Sequence, residues 1–247
     1  MFTTRGSRVA VALLIVVTAA IPAAEMLVLR LFSSLIIDGP ETFSKDTGAV
    51  IVKIGIFFLA FGLTRAAHHL VRLGRVRVFR GGFEASSRTR SPSQESWEWA
   101  LAFELSGVLV GLVQTVMFSA LFLLIDWLTG VLNVLVCVIV LAILSTIYRR
   151  QLKLQQGYVE MGSRPGTVAI SERVGGRIRD AEFGAIVATG AMVVVLVCML
   201  LRTLSGEISS ADAIVLFLAL RLLSGQLGTV SAGVMRFARA SARRGSP

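Results

Sequence analysis

The chain has 247 residues, of which 55% are hydrophobic and only 16% are charged, and its formal net charge is +10 at pH 7. So few charged residues exclude an ordinary soluble domain, in which about a quarter of the residues are charged. The positive charge could suggest nucleic acid as a partner, but no pattern of aromatic residues is interleaved with the arginines. Orientation in a membrane and attraction to anionic lipid explain the charge better.

Six long apolar runs divide the chain, each near or above the roughly 20 residues that an α-helix needs to cross a bilayer. They are predicted at about 9–37, 50–71, 103–125, 131–148, 184–201 and 212–235. Helices are the expected element, because an open sheet edge would leave unpaired peptide groups in lipid. The predicted fold class is therefore all-α integral membrane, with six transmembrane helices in a single domain spanning residues 1–247.

The first run also has the outline of a secretory signal, since a basic start precedes an apolar stretch and Pro22-Ala23-Ala24. However, residues 26–37 continue as another apolar segment, which cleavage would leave as an exposed end. We therefore predict one uncleaved helix over 9–37, about 43 Å long at ~1.5 Å per residue. Further along, Asp126-Trp127-Leu128-Thr129-Gly130 predicts a tight hairpin between the third and fourth spans, because tryptophan beside an acid is typical of the water–lipid boundary.

Positive charge falls on one side of the spans. Most of the 25 Lys and Arg lie before the first span, within 72–102 and 149–183, or after the sixth span. The loops on the other side are rich in acids, namely Asp38, Glu41, Asp46, Asp126, Glu207 and Asp212. Because Lys and Arg near span ends stay on the cytoplasmic side, both termini are predicted to be cytoplasmic, in a bacterial inner membrane.

The two basic stretches, 72–102 and 149–183, are predicted to be short cytoplasmic helical hairpins. Gly81-Gly82 and Gly175-Gly176 are expected to stop helices there, together with the polar segments 86–93 and 162–167. Pro92 is expected at the first position of the following helix, with Ser91 as its N-cap.

Three segments carry a resemblance to a known family. Residues 25–39 contain an acid and then an apolar stretch that ends in Ile37-Asp38. Residues 204–213 lead into the last apolar run, and 236–244 leave it with alanines and arginines. With the six spans, these segments resemble the first helix and the two ends of the sixth helix in the membrane domain of ABC exporters (type I exporter, or type IV, fold).

The resemblance implies a membrane subunit that pairs with itself or a related chain around a central cavity and is powered by a separate ATPase. No phosphate-binding loop of the Gly-x4-Gly-Lys-Ser/Thr type occurs in the chain, so ATP would act only through the partner, and we predict no enzyme activity or cofactor. Leu223-Ser224-Gly225-Gln226 is similar to the nucleotide-binding signature, but it lies inside the sixth run and is interpreted as coincidence. The cytoplasmic hairpins are shorter than those of the family.

Ionisable groups at membrane depth cost about 2.5–3.5 kcal/mol on insertion scales, so Glu25 and Arg221 need a reason. In the resembled fold the first and sixth helices line the cavity, which implies a Glu25–Arg221 ion pair or a shared hydrated site. Such a pair could contact cargo or simply fix helix register. Gln114 and Gln226 are further cavity candidates, and Arg30 is expected to extend to the outer interface.

The resemblance also implies contacts with a partner ATPase at the cytoplasmic hairpins. The candidate residues are Arg88, Arg90, Glu95, Arg164 and Glu172.

Adjacent His68 and His69 point about 100° apart on a helix, which makes a poor metal pair, so no metal or catalytic residue is predicted.

A second hypothesis keeps the same membrane architecture without ATP. In one form the chain resembles the proton-driven peptide importers of the SbmA/BacA type, with Glu25 as the proton carrier. In the other form it is a structural subunit of a larger membrane complex. The shortened hairpins favour this hypothesis, whereas the six-span pattern and the cavity charges favour the exporter.

Overall fold

A computed structural model describes residues 5–84, 92–161 and 170–242. These residues form helices joined by short turns and include no strand, which confirms the all-α class. The helices are α1 (Arg5–Ile37), α2 (Gly39–Lys45), α3 (Thr47–Glu84), α4 (Pro92–Ile125), α5 (Trp127–Met161), α6 (Ile170–Leu204) and α7 (Ser210–Ala242). All of these except α2 are long and apolar enough to cross a membrane, which gives six candidate spans as predicted.

The first span is a single helix, as predicted, since α1 continues through Pro22 without interruption. A proline is tolerated inside a membrane helix because neighbouring groups can satisfy the freed backbone carbonyl. The short helix α2 was not predicted. It begins at Gly39 with Pro40 in its first turn, and Asp46 then accepts a hydrogen bond from the backbone of Ala49 at 3.0 Å and so caps α3.

Two predicted helix stops are wrong. Helix α3 continues through Gly81-Gly82, and α6 already includes Gly175-Gly176. A glycine costs roughly 1 kcal/mol inside a helix, but an established helix gains one hydrogen bond for each residue added, so isolated glycine pairs need not end it. Pro92 is the first residue of α4, as predicted. Ser91 and the segment 162–167 lie outside the described residues.

Successive long helices run in opposite directions and define two ends of the bundle. The short-loop end contains residues 38–46, 126 and 205–209, and Arg30 of α1 pairs there with Asp212 of α7 at 2.6 Å. The opposite end, here called the basic end, contains the helix ends that border the two undescribed internal segments, 85–91 and 162–169. At that end Arg236 of α7 pairs with Glu104 of α4 at 2.9 Å.

Helix α7 lies at the centre of the packing and contacts α1, α4, α5 and α6. Its Leu216, Leu223 and Leu227 are fully buried, together with Phe118 and Phe122 of α4. Helix α3 is different, because within the described part of the chain it packs only against α1 and α2. Most of its surface is therefore left for lipid or for another chain.

Candidate functional site

One side of α7 is exposed and polar in its second half. Arg221, Gly225 and Thr229 are exposed and follow one another at intervals of four residues, which places them on the same side of the helix. Between Arg221 and Ala238, where side chains are described, the only large apolar side chain exposed is Leu222. We call the surface formed by Arg221, Ser224, Gly225 and Thr229 the polar face of α7. Acyl chains offer such groups no hydrogen bonds, so this face is suited to water or to a polar ligand.

Small residues set the contact between α7 and α6 beside this face. The hydroxyl oxygens of Ser224 and Thr189 are 3.4 Å apart. Ser231 donates a hydrogen bond to the backbone carbonyl of Ala181 at 3.0 Å. A methyl group added at Gly184 would overlap Ser231, so the two helices approach closely there. This packing fixes which side of α7 remains open.

Helix α4 holds α7 from another side. Gly111 lies against Val230, and a Cβ atom at Gly111 would be 4.0 Å from the Oε1 atom of Gln226. Gln114 is buried on α4. Gln226 therefore lies at the contact between the two helices. Gly111 permits their close approach there, whereas a Cβ at Gly107 would meet no atom within 4 Å.

The predicted ion pair between Glu25 and Arg221 is wrong for a single chain. Glu25 of α1 contacts Arg65 of α3, with 3.8 Å between carboxylate and guanidinium. The physical reason is that α3 packs along α1 and brings Arg65 to the level of Glu25. Arg221 is exposed and forms no ion pair or hydrogen bond with any residue that the structure describes.

The contact between Glu25 and Arg65 borders a cavity between α1 and α3. The guanidinium of Arg65 lies 5.4 Å from the ring centre of Phe61, within range of a cation–π interaction. The Arg65 side chain is 60% exposed and the Glu25 side chain 32% exposed, so the pair is loose and accessible. A cavity of about 300 Å³ beside the pair is otherwise lined by Thr64 and by apolar side chains that include Phe32 and Phe57.

His68 and His69 lie one turn beyond Arg65 on α3. Their rings are 6.0 Å apart and nearly perpendicular. No group of three or more His, Cys, Asp or Glu that could hold a metal is found within the described ranges. The two cysteines are free and lie on different helices, with Cys137 buried on α5 and Cys198 half-buried on α6.

The buried Asn133 on α5 forms a hydrogen bond to the neighbouring helix. Its side-chain amide donates a hydrogen bond to Ser119 across the hairpin of α4 and α5, at 3.1 Å. Such a hydrogen bond between two membrane helices is worth about 0.6–2 kcal/mol.

An ion-pair network that was not predicted from the sequence lies at the short-loop end. Arg202 of α6 binds the Asp126 carboxylate with two hydrogen bonds, each 2.8 Å long, and it also pairs with Glu207. Asp126 additionally accepts hydrogen bonds from the backbone and the hydroxyl of Thr129, so it caps α5. Burial alone would raise the pKa of Asp126, but the hydrogen bonds from Arg202 and Thr129 outweigh it and hold the pKa below its ordinary value.

A partial signal for this network exists in the sequence. Asp126 followed three residues later by Thr129 is typical of a helix N-cap. Nothing local connects Asp126 with Arg202, because the two are 76 residues apart and meet only when α4, α5 and α6 pack together.

Most of the residues predicted to contact a partner ATPase lie outside the described part of the chain. Arg88, Arg90 and Arg164 fall outside the described residues. Glu95 lies three residues after the start of α4, and Glu172 lies two residues after the start of α6. These positions are at the basic end, next to the two undescribed segments.

Six apolar helices with polar groups at membrane depth define a multi-pass membrane protein that contacts the lipid bilayer. Neither models of known protein families nor curated proteins match the chain.

Proposed function

We infer that the chain is the membrane-spanning subunit of an ABC-type exporter, which dimerises around a central cavity and is powered by a separate ATPase subunit. The polar face of α7 is the observation that carries this inference. A central helix that leaves the Arg221 guanidinium exposed at membrane depth needs water or a polar partner beside it. In the fold that the sequence resembles, the last helix lines such a cavity.

The charge distribution supports an orientation with the basic end in the cytoplasm. Lys153 and Arg236 belong to this end, whereas Asp126, Glu207 and Asp212 belong to the short-loop end. Under the positive-inside rule the two termini and the two hairpins then face the cytoplasm of a bacterial cell, where a soluble ATPase could reach them. Rocking of rigid helix groups would carry the power stroke to the cavity.

The second candidate is a subunit that does not use ATP. The exposed surface of α3 favours its structural form, because α3 packs only against α1 and α2 among the described residues and a larger membrane complex could cover the rest. In the proton-driven form, Glu25 would have to leave Arg65 whenever it took up a proton. If the chain is a proton-driven transporter, Glu25→Gln would abolish proton-coupled uptake. If the chain is an exporter subunit, the same substitution would leave its nucleotide-dependent conformational change intact.

Purification from the native membrane in lipid nanodiscs tests the exporter assignment. We expect two copies of the chain together with two copies of an ATPase that carries a phosphate-binding loop. Spin labels at K153C on the two copies should change separation when the ATPase is trapped with ADP and vanadate. The matched label at K45C, at the short-loop end, reports whether that end moves in the opposite sense.

The exporter assignment fails if the chain is recovered in fixed stoichiometry with unrelated membrane proteins and its spin-label distances do not respond to nucleotide. That outcome would favour the structural form of the second candidate.

A further inference from the structure

We propose that Arg221 and the polar face of α7 bind the anionic head group, a phosphate or carboxylate, of an amphiphilic cargo molecule. This inference rests on the proposed cavity and names the class of ligand that the cavity would take.

The other arginines with described contacts in the bundle are matched by acids. Arg30 pairs with Asp212, Arg65 contacts Glu25, Arg202 binds Asp126, and Arg236 pairs with Glu104. Arg221 has no such partner among the described residues. No Asp or Glu occurs in α7 from Arg221 to its end, so the helix itself supplies no counter-ion.

The depth of Arg221 makes this lack of a partner costly. It lies 11 residues after Ser210, the first residue of α7, which corresponds to about 16 Å along the helix axis. This is close to the middle of a hydrocarbon layer about 30 Å thick. A guanidinium at that depth needs water, a counter-ion or both.

The surface next to Arg221 has two different halves. Toward the basic end lie Gly225 and Thr229, with the hydroxyls of Ser224 and Thr189 at the edge. The Thr229 hydroxyl already donates to the backbone carbonyl of Gly225 at 3.0 Å, and one of the Ser224 and Thr189 hydroxyls donates to the other. One hydroxyl hydrogen at this edge therefore remains to be donated to an anion. A guanidinium can bind a phosphate or carboxylate with two parallel hydrogen bonds, so this half suits an anionic head group.

Toward the short-loop end the same side of α7 becomes apolar. Ile214 and Phe217 are each 46% exposed and precede Arg221 by seven and four residues, which places them on its side of the helix. A ligand with an anionic group at Arg221 could therefore lay an apolar body along Ile214 and Phe217. The charge and the apolar surface together indicate an anionic amphiphile rather than a free inorganic anion.

A symmetric dimer would bring two such faces together. If two copies enclose a cavity with their α7 helices, the polar face of each copy faces that of the other copy, and the positive charge in the cavity doubles. Two guanidinium groups repel each other, and an anion placed between them relieves this repulsion. The site would then be completed by the second copy.

Thiol labelling of a cysteine next to Arg221 tests the proposal in membrane fragments that are open on both sides. Gly225→Cys is the reporter, because a Cβ atom at Gly225 meets no other atom within 4 Å, and Cys137 and Cys198 are first replaced by alanine. We expect the anionic reagent 2-sulfonatoethyl methanethiosulfonate to react roughly tenfold faster than its trimethylammonium analogue, after correction for their rates with a free thiol. Arg221→Gln should remove this preference, and Arg221→Lys should retain it.

Dodecyl phosphate, dodecylphosphocholine and inorganic phosphate then serve as competing ligands. Dodecyl phosphate should protect the reporter only when Arg221 is present, and the other two should protect it weakly. Val194→Cys on the exposed side of α6 is the matched control and should react with neither reagent.

Three results would overturn the proposal: a G225C thiol that is inert to both reagents, a charge preference that survives Arg221→Gln, or equal protection by inorganic phosphate. No nucleotide or ATPase is needed for these measurements. The exporter assignment can therefore fail while anion recognition at Arg221 is upheld. Equally, anion recognition at Arg221 can fail while the exporter assignment is upheld.

Discussion

Replacing Arg202 by methionine is expected to lower the thermal unfolding midpoint of the protein in detergent by roughly 5 °C or more. Arg202 binds both oxygens of the Asp126 carboxylate, whose side chain is only 9% exposed, and it also pairs with Glu207. Removal of the guanidinium would leave Asp126 ionised and mostly enclosed by protein, which is the costly way to break an ion pair.

Arg30→Met is the matched control. Its partner Asp212 is also at the short-loop end, but the Arg30 side chain is 43% exposed, and exposed ion pairs contribute little. Differential scanning fluorimetry of both variants gives the comparison. Equal midpoints for the two variants would contradict the view that the Asp126 network fastens α4, α5 and α6 together.

The contribution of Asp126 should also depend on pH in a defined direction. Its pKa in the folded protein lies below the ordinary value of about 3.9. The stabilisation is therefore fully present at pH 7 and is lost as the pH falls below about 4 toward the folded pKa. Asp126→Asn, which can still cap α5, should flatten this acid-dependent loss of stability.

Gly130→Ala is the second change with a large expected effect. A Cβ atom at Gly130 would lie 2.6 Å from the backbone N and Cα atoms of Leu123, so the hairpin between α4 and α5 has no space for it. Backbone atoms cannot move aside as a flexible side chain can, and overpacking of this kind typically costs about 1–3 kcal/mol. Thermal unfolding in detergent should show the loss.

Gly190→Ala provides the control for Gly130. Gly190 lies in α6, and a Cβ atom there meets no atom within 4 Å, so alanine should be neutral or should stabilise the helix by up to about 1 kcal/mol. If both substitutions change the midpoint by the same amount, the tight turn after α4 is not what determines their effect.

The sequence was sufficient to predict those features that depend on short segments. About twenty apolar residues in a row are readable as a span without knowledge of neighbours. The hairpin at 126–130 could be predicted because a tryptophan stands beside an acid there. The uninterrupted first helix could also be predicted, because residues 26–37 extend the apolar run past Pro22.

The partners of charged residues could not be predicted, because they depend on which helices become neighbours. Depth along a helix can be counted from sequence, and it placed both Glu25 and Arg221 well inside the membrane. It does not say which side of α1 meets α3, and this decides that Glu25 contacts Arg65. The Gly81-Gly82 prediction failed for a different reason, since the cost of two glycines is small beside the cooperativity of a long helix.

Impermeant thiol labelling of single cysteines in intact cells distinguishes which end of the six-helix bundle faces the cytoplasm. K45C and K153C are suitable positions, because both lysines are exposed and lie toward opposite ends of the bundle. We expect K45C to be labelled in intact cells and K153C to be labelled only after the membrane is permeabilised. Labelling of K153C in intact cells would instead place the basic end outside the cell and overturn the proposed orientation.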